Sequence, residues 1–203
     1  MNYGELKSHF EALLNRSDNT SALTETFITQ GISRIGRQLR TAMNEKVQAY
    51  ALTSQTALFT LPSDFLEIIS LYYGDRQLIR LPMAKFRPFT SSAATGAPKY
   101  FTRQQEGILL YPQPTDGTLT LYYYGDFDDL IADSDSNALS VAAPDLIIYA
   151  ALTYAADFYL DERAELFEAK YQGFLSEIQE QANDQELNGS INTIAPAYAY
   201  GDD

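Results

Sequence analysis

The hydrophobic pattern of this chain changes twice, near Val47 and again near Pro144, and the two changes separate helical from strand-rich sequence. Before Val47 and after Pro144, apolar residues recur every three or four positions, which places them on one side of a helix. Between these points lie short segments rich in β-branched and aromatic residues, separated by turn residues, as in antiparallel sheets. The sequence therefore predicts an α+β fold, in which an α-helical bundle of N-terminal and C-terminal helices carries an inserted small antiparallel β-sheet or barrel lobe.

Two helices are predicted in each helical part. The first ends at the turn of residues 17–21, where the second begins, because several of these residues suit an N-cap. Pro144 suits the first turn of a third helix, and Asp161 is predicted to cap a fourth. The predicted buried stripes are Tyr3, Leu6, Phe10, Leu13 and Leu14; Ile28, Ile32, Ile35, Leu39 and Ala42; Leu146, Tyr149, Leu152, Ala156 and Tyr159; and Phe167, Tyr171, Phe174, Ile178 and Ala182.

The strand-rich part has short segments of strand composition. They are VQAYALT, ALFTL, EIISLYY, RQLIRL, PKYFTRQ, GILLYPQ and TLTLYYYG. Tight turns that would join consecutive strands as antiparallel hairpins are predicted at Gly74-Asp75, Glu106-Gly107 and Asp116-Gly117. Residues 86–99 are rich in Ser, Ala, Gly and Pro, so we expect a long loop there.

The predicted organisation has four parts. Residues 1–46 hold the N-terminal helices of the bundle, and residues 47–126 form the inserted antiparallel β lobe. Residues 127–188 hold an acidic connector and the C-terminal helices that complete the bundle. Residues 189–203 contain apolar and aromatic residues without a period, so we expect an extended C-terminal tail.

The acidic charge of the chain belongs to its second half. The formal net charge is −13; residues 1–115 hold 12 Lys and Arg against 9 Asp and Glu, whereas residues 116–203 hold 2 against 18. A surface of that sign repels the phosphates of nucleic acid. We therefore do not expect a protein that grips DNA or RNA by charge.

Several other classes of protein are excluded by composition. The chain has no cysteine, which removes disulfide frameworks, thiolate metal sites and thiol nucleophiles. The first residues do not have the pattern of a signal peptide, and no run of about 18 apolar residues is present to span a membrane. The sequence predicts a soluble intracellular product without a membrane partner.

Catalytic and metal-binding motifs are missing. The single histidine, His9, has no cysteine or second histidine to complete a zinc site or a Ser-His-Asp relay, so we interpret it as a solvated surface residue. The connector contains Asp126, Asp128, Asp129, Asp133 and Asp135, which suit either a divalent cation or solvent. An EF-hand starting at Asp133 fails at Ala138 and Pro144, so we favour a solvated acidic loop and predict no metal or cofactor.

Asp64 and Glu67 are the one pair of carboxylates that resembles an acid and base pair. On a helical turn their spacing would place both on one side, as a hydrolase would require. The alternative is a structural turn, in which Pro62 fixes the backbone, Asp64 accepts a backbone N–H and Phe65 is buried. We favour the structural turn, because no partner with a tuned proton affinity accompanies the carboxylates.

Arg34, Arg37 and Arg40 form a basic stripe on the second predicted helix, in a chain that is otherwise acidic. The stripe is either a solvated face or a contact to an acidic neighbour. Copies arranged in a ring would bring it near the acidic half of the next copy, and such a head-to-tail contact needs two unlike surfaces. We therefore predict a subunit interface at these arginines.

The order of segments resembles the head-to-tail adaptor, or connector, proteins of tailed bacteriophages. The resemblance covers roughly residues 3–185 and lies in a series of motifs: Leu-Pro-x-Asp-Phe-Leu, Gly-x-Pro-x-Tyr, Leu-x-Pro-x-Pro and Pro-Asp-Leu. In this sequence they read LPSDFL, GAPKY, LYPQP and PDL, and two helices precede them.

The resemblance implies a structural virion protein without enzymatic activity, located at the head-tail junction and in the host cytoplasm during assembly. It implies a ring of twelve copies beneath the portal protein, which lengthens the DNA channel and docks a tail or nozzle protein. DNA would pass through without specific binding, and net acidity suits such a channel.

Two further contact sites are expected. In the tail, Ile191, Ile194, Tyr198 and Tyr200 are predicted to bind the portal or a neighbouring copy by strand addition or groove binding; the alternative is a disordered end. In the predicted loop, Phe86, Arg87 and Phe89 are expected to contact the tail side.

The main rival hypothesis is a small binding module whose Tyr-rich sheet stacks on a ligand, such as carbohydrate, protein or single-stranded nucleic acid. Net acidity argues against the nucleic-acid version of this hypothesis.

Overall fold

The computed structural model describes residues 1–52, 58–91, 94–105 and 107–189. The chain folds into two compact units. We call them the sheet unit, residues 1–9 and 40–144, and the helical unit, which comprises residues 10–39 and the chain from 145 onward. The acidic connector thus belongs to the same unit as the strands. The four-part division predicted from the sequence stays a prediction.

Six α-helices are found in the described part of the chain. In chain order they are α1 (Tyr3–Leu14), α2 (Ser21–Gln38), α3 (Met83–Phe86), α4 (Ala138–Ala142), α5 (Pro144–Tyr159) and α6 (Ala164–Gly189). The starts of α2 and α5 confirm the predicted turn of residues 17–21 and the predicted role of Pro144. Thr20 is the N-cap of α2, where its hydroxyl accepts a hydrogen bond from the Leu23 N–H. The short α4 within the connector was not predicted.

In the helical unit α5 is buried on more than one side. The sequence predicts one buried stripe for it, but the buried residues include the consecutive Leu146, Ile147 and Ile148. Gly31 of α2 explains how a neighbouring helix approaches so closely: a Cβ built on it would lie 2.9 Å from the Ala151 nitrogen. The two helix backbones therefore pack with no room for a side chain at this position.

The strands form two four-stranded sheets. In chain order the strands are β1 (Glu45–Ala51), β2 (Leu58–Thr60), β3 (Phe65–Tyr73), β4 (Arg76–Gln77), β5 (Ile79–Arg80), β6 (Tyr100–Gln104), β7 (Gly107–Tyr111) and β8 (Thr118–Gly125). Sheet A has the order β1-β8-β3-β4, and sheet B has the order β2-β7-β6-β5. The α+β class is confirmed, with two sheets in place of a single one.

Two of the three predicted hairpins are present. Antiparallel pairing joins β3 to β4 across Gly74-Asp75 and β6 to β7 across the second predicted turn. The prediction at Asp116-Gly117 is wrong, because β7 pairs in sheet B whereas β8 pairs with β1 and β3 in sheet A. A tight-turn sequence does not specify which sheet receives the strand that follows it.

The segment predicted as one strand at RQLIRL contributes to both sheets. Its first residues form β4 in sheet A and its next residues form β5 in sheet B. Between them the buried Leu78 donates its N–H to Leu71, 2.8 Å away. After this change of sheet, β5 pairs parallel to β6, so the expectation of a wholly antiparallel lobe is wrong at this edge.

The two sheets share one hydrophobic core. It contains Leu71, Leu119, Leu121 and Tyr123 of sheet A together with Phe101, Ile108 and Leu110 of sheet B. Alternation along β8 explains this, since residues 119, 121 and 123 are buried whereas Tyr122 is exposed. Two register shifts in β3, between Phe65 and Glu67 and between Ile68 and Ser70, interrupt its pairing with β8.

Part of the predicted loop is helical. Residues 83–86 form α3, and a 3-10 helix follows over Arg87–Ser91. The ring of Phe89 stacks on Tyr100, with 5.6 Å between ring centroids, and also contacts Tyr111 of β7. These aromatic contacts hold the short helical segment against sheet B.

Candidate functional site

The turn that precedes β3 is built around the carboxylate of Asp64. Phe65 donates its N–H to the Pro62 carbonyl at 3.1 Å, which closes the turn. The Asp64 carboxylate accepts a hydrogen bond from Lys46 Nζ at 2.8 Å and another from the Tyr123 hydroxyl at 3.1 Å. Its backbone carbonyl accepts the N–H of Asp126 at 2.7 Å. Asp64 therefore joins β1, β8 and the start of the connector.

The residues around Asp64 hold its carboxyl group in the charged form. Partial burial pushes the pKa of Asp64 upward, but the hydrogen bonds from Lys46 and Tyr123 outweigh it and hold the pKa below its ordinary value. Burial likewise disfavours the charged form of Lys46. The carboxylates of Asp64 and Asp128 together outweigh burial and raise the pKa of Lys46. A general base needs a pKa near the operating pH, and this group is shifted away from it.

Glu67 does not share the environment of Asp64. It lies on strand β3 and not on a helical turn, so the spacing on which the acid and base hypothesis depended does not apply. Its carboxylate is bonded to Arg40, with 3.4 Å between Nε and Oε2. The two carboxylates thus bind different cations, Lys46 and Arg40.

Arg34 of α2 is bonded inside the helical unit. Its guanidinium forms two hydrogen bonds to the Glu168 carboxylate, at 2.6 and 2.9 Å, and a third to the Thr153 hydroxyl at 3.0 Å. It also lies over the Tyr171 ring, 4.1 Å from the centroid. The bond from Arg34 holds the pKa of Glu168 below its usual value. This network links α2, α5 and α6.

The three arginines of the predicted interface therefore differ. Arg34 is bound to Glu168, and Arg40 has Glu67 as a partner within the sheet unit. Arg37 is exposed on α2 and forms no ion pair with any residue that the structure describes. Of the three, Arg37 is the one whose charge faces solvent without an ionic partner in the described chain.

A second internal network was not predicted from the sequence. Arg163 donates to the Asp161 carboxylate and to the carbonyls of Leu13 and Leu14 at the end of α1, at 3.2 and 2.9 Å for the two carbonyls. A cation at a helix C-terminus satisfies carbonyls that have no partner in the helix. Bonds from the Arg163 side chain and backbone lower the pKa of Asp161 to about 2.

The predicted loop contacts have unequal access to solvent. Phe86 is 1% exposed, so its ring stabilises the sheet unit and is not presented to a partner. Phe89 is half-buried against Tyr100 and Tyr111. Arg87 is exposed. Of the three, Arg87 has the side chain most accessible to another molecule.

The acidic connector is organised by separate bonds. Asp128 accepts from Lys46 at 3.0 Å and Asp133 pairs with Lys7 at 2.6 Å. Asp135 accepts the N–H groups of Ala132 and Ile131, and these bonds lower its pKa. Within the described residues, no group of three or more His, Asp or Glu side chains is arranged to hold a metal ion. The aspartates act individually, as turn acceptors and ion-pair partners.

Sheet A presents apolar residues on its outer face. Val47 and Ile69 are exposed, and Tyr122 is exposed beside Tyr72, with their rings edge to face at 5.7 Å between centroids. His9, on α1, is also exposed. The predicted tail contacts Ile191, Ile194, Tyr198 and Tyr200 lie outside the described residues.

Comparison with protein families decides the class of protein to which these features belong. The family model described as SU10 adaptor protein matches residues 1–194, which is nearly the whole chain. The chain belongs to this family. The resemblance to phage head-to-tail adaptors drawn from the sequence motifs is thereby confirmed. The match to the SU10 adaptor family includes Ile191 and Ile194 of the tail and ends before Tyr198 and Tyr200.

Two other findings accompany the family match. A search of curated proteins returned no match for this adaptor. No helix in the described ranges is both long enough and apolar enough to cross a membrane.

Proposed function

We propose that this protein is a structural component of the virion, which forms a ring of twelve copies beneath the portal, extends the DNA channel and docks the tail or nozzle. The observation that carries the proposal is the match of the SU10 adaptor family to residues 1–194. An adaptor joins two larger assemblies, so its function lies in its contact surfaces. We accordingly propose that it has no catalytic activity.

The distribution of bonded groups supports a structural role. The residues that most resembled catalysts, Asp64 and Glu67, are bonded to Lys46 and Arg40. Asp64, with its lowered pKa and its bonds to three segments, has the properties of a structural anion. Its network stabilises the turn that enters β3.

The charge distribution supports a head-to-tail contact between copies. Residues 1–115 have three more cations than anions, 12 against 9, whereas residues 116–203 have 2 cations against 18 anions. Unlike surfaces on one chain are what a heterologous ring contact requires. The same net acidity keeps the protein from holding DNA that must move through the channel.

Three contact sites belong to this proposal. The first is the α2 stripe, in which Arg37 is the exposed member, and the second is the segment around Arg87 and Phe89. The third is the tail, residues 190–203, as a portal or neighbour contact. Deletion of residues 190–203 should leave the circular dichroism spectrum unchanged and weaken portal binding or ring assembly. Unchanged assembly and portal binding would count against the tail contact.

Imaging of the purified protein, alone and mixed with portal protein, tests the main proposal. The expected result is a ring of copies attached to the portal, seen by negative-stain microscopy and counted by native mass spectrometry. Weak contacts that act together on a ring template would make the portal-bound form the more stable one. Monomers that do not bind the portal but bind a sugar column would support the rival hypothesis, a binding module that uses Tyr72 and Tyr122.

A further inference from the structure

One part of the sheet unit has cations and no anions. Residues 76–105 contain six Lys and Arg and no Asp or Glu, in a chain whose net charge is −13. All six cationic side chains are exposed. They are Arg76, Arg80, Lys85, Arg87, Lys99 and Arg103. Like charges in one region repel one another, so a group of this kind favours contact with an anionic partner.

Three of these cations are brought together by the fold of sheet B. Arg80 belongs to β5, whose Ile79 donates its N–H to the Lys99 carbonyl at 3.0 Å, so that residues 80 and 99 lie on adjacent segments. Leu81 then donates to Phe101 of β6 at 2.8 Å, and α3, which carries Lys85, contacts β6. We call Arg80, Lys85 and Lys99 the basic surface.

The basic surface has no ionic partner in the described part of its own chain. The ion pairs there use other cations, including Arg34, Arg40 and Lys46, and none uses a residue of the basic surface. No aromatic ring in the described ranges accepts any of these three cations either. Their charges are therefore available to an anion on another molecule.

The helical unit offers a matching anionic feature. Glu177, Glu180 and Asp184 follow one another at intervals of three and four residues, which places them along one side of α6. All three side chains are exposed, and none forms an ion pair within the described residues. We call them the acidic row. Among the described residues, each chain thus carries three cations on one unit and three anions on the other that form no ion pair.

We propose that the basic surface of one copy binds the acidic row of a second copy, and that this is a head-to-tail contact of the assembled adaptor. The inference rests on the proposed function, because it names the surfaces through which the proposed ring would close. A copy of the same chain is favoured over DNA as the partner for two reasons. The net charge of −13 opposes approach to phosphates, and the nearby ring of Phe89 packs on Tyr100 and is not free for a base to stack on.

A charge-exchange experiment tests the contact. Variant one carries Arg80→Glu, Lys85→Glu and Lys99→Glu, so both of its surfaces are acidic. Variant two carries Glu177→Lys, Glu180→Lys and Asp184→Lys, so both of its surfaces are basic. Self-association is measured by sedimentation velocity at low ionic strength, alone and with portal protein, so that a contact formed only on the portal is also detected.

Each variant alone should associate at least about tenfold more weakly than the unmodified protein, since three exposed pairs are replaced by repulsion. An equimolar mixture of the two should recover association to within about threefold, because each reversed surface meets a complementary one.

The control has the same change in net charge as variant two, but at other exposed acids: Asp75→Lys, Asp116→Lys and Asp129→Lys. It keeps both the basic surface and the acidic row, so alone it should associate as the unmodified protein does. An association as weak as that of variant two would show that net charge alone controls the contact and would overturn the inference. Failure of the mixture of variants one and two to recover association would overturn it as well.

Two more outcomes separate this inference from the proposed function. If variant one forms portal-bound rings as well as the unmodified protein does, the inference fails and the proposed function stands. If the unmodified protein forms no ring with the portal, the proposed function fails.

Loss of duplex DNA binding by variant one, with self-association unchanged, would overturn the inference and assign the basic surface to nucleic acid.

Discussion

The helical unit and the sheet unit use their cationic side chains differently. The helical unit has five Lys and Arg, and four of them are bonded within it, including Arg34 to Glu168 and Arg163 to Asp161 and the end of α1. In the sheet unit, Arg80, Lys85 and Lys99 are exposed and have no ion pair within the described residues. Most cations of the helical unit thus fix its own helices, whereas the sheet unit bonds some of its cations, such as Arg40 and Lys46, and leaves a group of three available for contact.

The largest effect on the helical unit should come from its closest packing. Gly31→Ala would put a Cβ 2.9 Å from the Ala151 nitrogen, and the backbone there cannot yield cheaply. We expect the free energy of unfolding to fall by about 2–3 kcal/mol in urea denaturation followed by circular dichroism. Gly173→Ala is the matched control, because nothing lies within 4 Å of its added Cβ. That change should raise stability by about 0.5–1 kcal/mol. Equal effects of the two changes would contradict the close helix packing.

The internal arginine should matter more than the exposed one on the same helix. Arg34→Met removes the paired hydrogen bonds to Glu168, which is itself 42% exposed and can be partly rehydrated. We expect a loss of about 1–2 kcal/mol of unfolding free energy. Arg37→Met, the control, should change it by less than about 0.5 kcal/mol. A double-mutant cycle with Glu168→Gln measures the coupling energy between the two side chains. A coupling energy near zero would show that this ion pair does not stabilise the helical unit.

The carboxylate of Asp161 should make the helical unit sensitive to acid. Its folded pKa of about 2 lies below the ordinary value of 3.8. Its contribution to stability is therefore present above about pH 4 and is lost as the pH falls toward 2. Asp161→Asn should cost about 1 kcal/mol at pH 7 and flatten the decline of stability between pH 4 and 2. A variant whose acid denaturation curve matches the unmodified protein would refute the role of this group.

An effect similar in size to that of Asp161→Asn is expected from Asp64, the bonded anion of the sheet unit. Asp64→Asn weakens the bonds to Lys46 and Tyr123, but Lys46 keeps Asp128 as a partner. We expect a loss of about 1 kcal/mol in urea denaturation, with Asp129→Asn as an exposed control near zero. A variant as stable as the control would argue against a structural role for the Asp64 carboxylate.

The smallest effect on stability should come from the basic surface. Reversal of Arg80, Lys85 and Lys99 together removes no intramolecular ion pair in the described structure, so stability should change by less than about 1 kcal/mol. The same substitutions should have a large effect on association. A strongly destabilised variant in urea denaturation would place these side chains among the groups that hold the fold, and the contrast between the two units would disappear.

Local signals in the sequence were sufficient for most of the secondary structure. The turn at residues 17–21 and Pro144 located the starts of α2 and α5, because caps and helix starts depend on neighbouring residues. The change of sheet at Leu78 and the parallel pairing of β5 with β6 were not predictable in this way. Both features depend on how strands that are distant in the sequence pack on opposite sides of the shared core.

The candidate sites show the same difference between features that neighbouring residues determine and features that distant residues determine. The bond between Arg34 and Glu168 joins residues 134 positions apart, and no spacing in the sequence indicates it. The basic surface did have a signal, six cations without an anion in residues 76–105. Over residues 1–115 as a whole the signal is weak, because the acids of α1, α2 and β1 offset most of the positive charge.

The two register shifts of β3 have a consequence for how sheet A finds its pairing. Strands β3 and β8 end in similar sequences: β3 ends in Leu71-Tyr72-Tyr73, with Gly74 next, and β8 ends in Leu121 to Gly125, where three tyrosines separate the leucine from the glycine. A slip of two residues would keep each side chain on the same face, so alternation alone discriminates poorly between such registers. The irregularities at Phe65/Glu67 and Ile68/Ser70 interrupt the regular pairing at two fixed positions, so a β8 strand shifted by two residues would meet them at different partners. These two irregularities therefore favour the observed register of β3 with β8 over a shifted one.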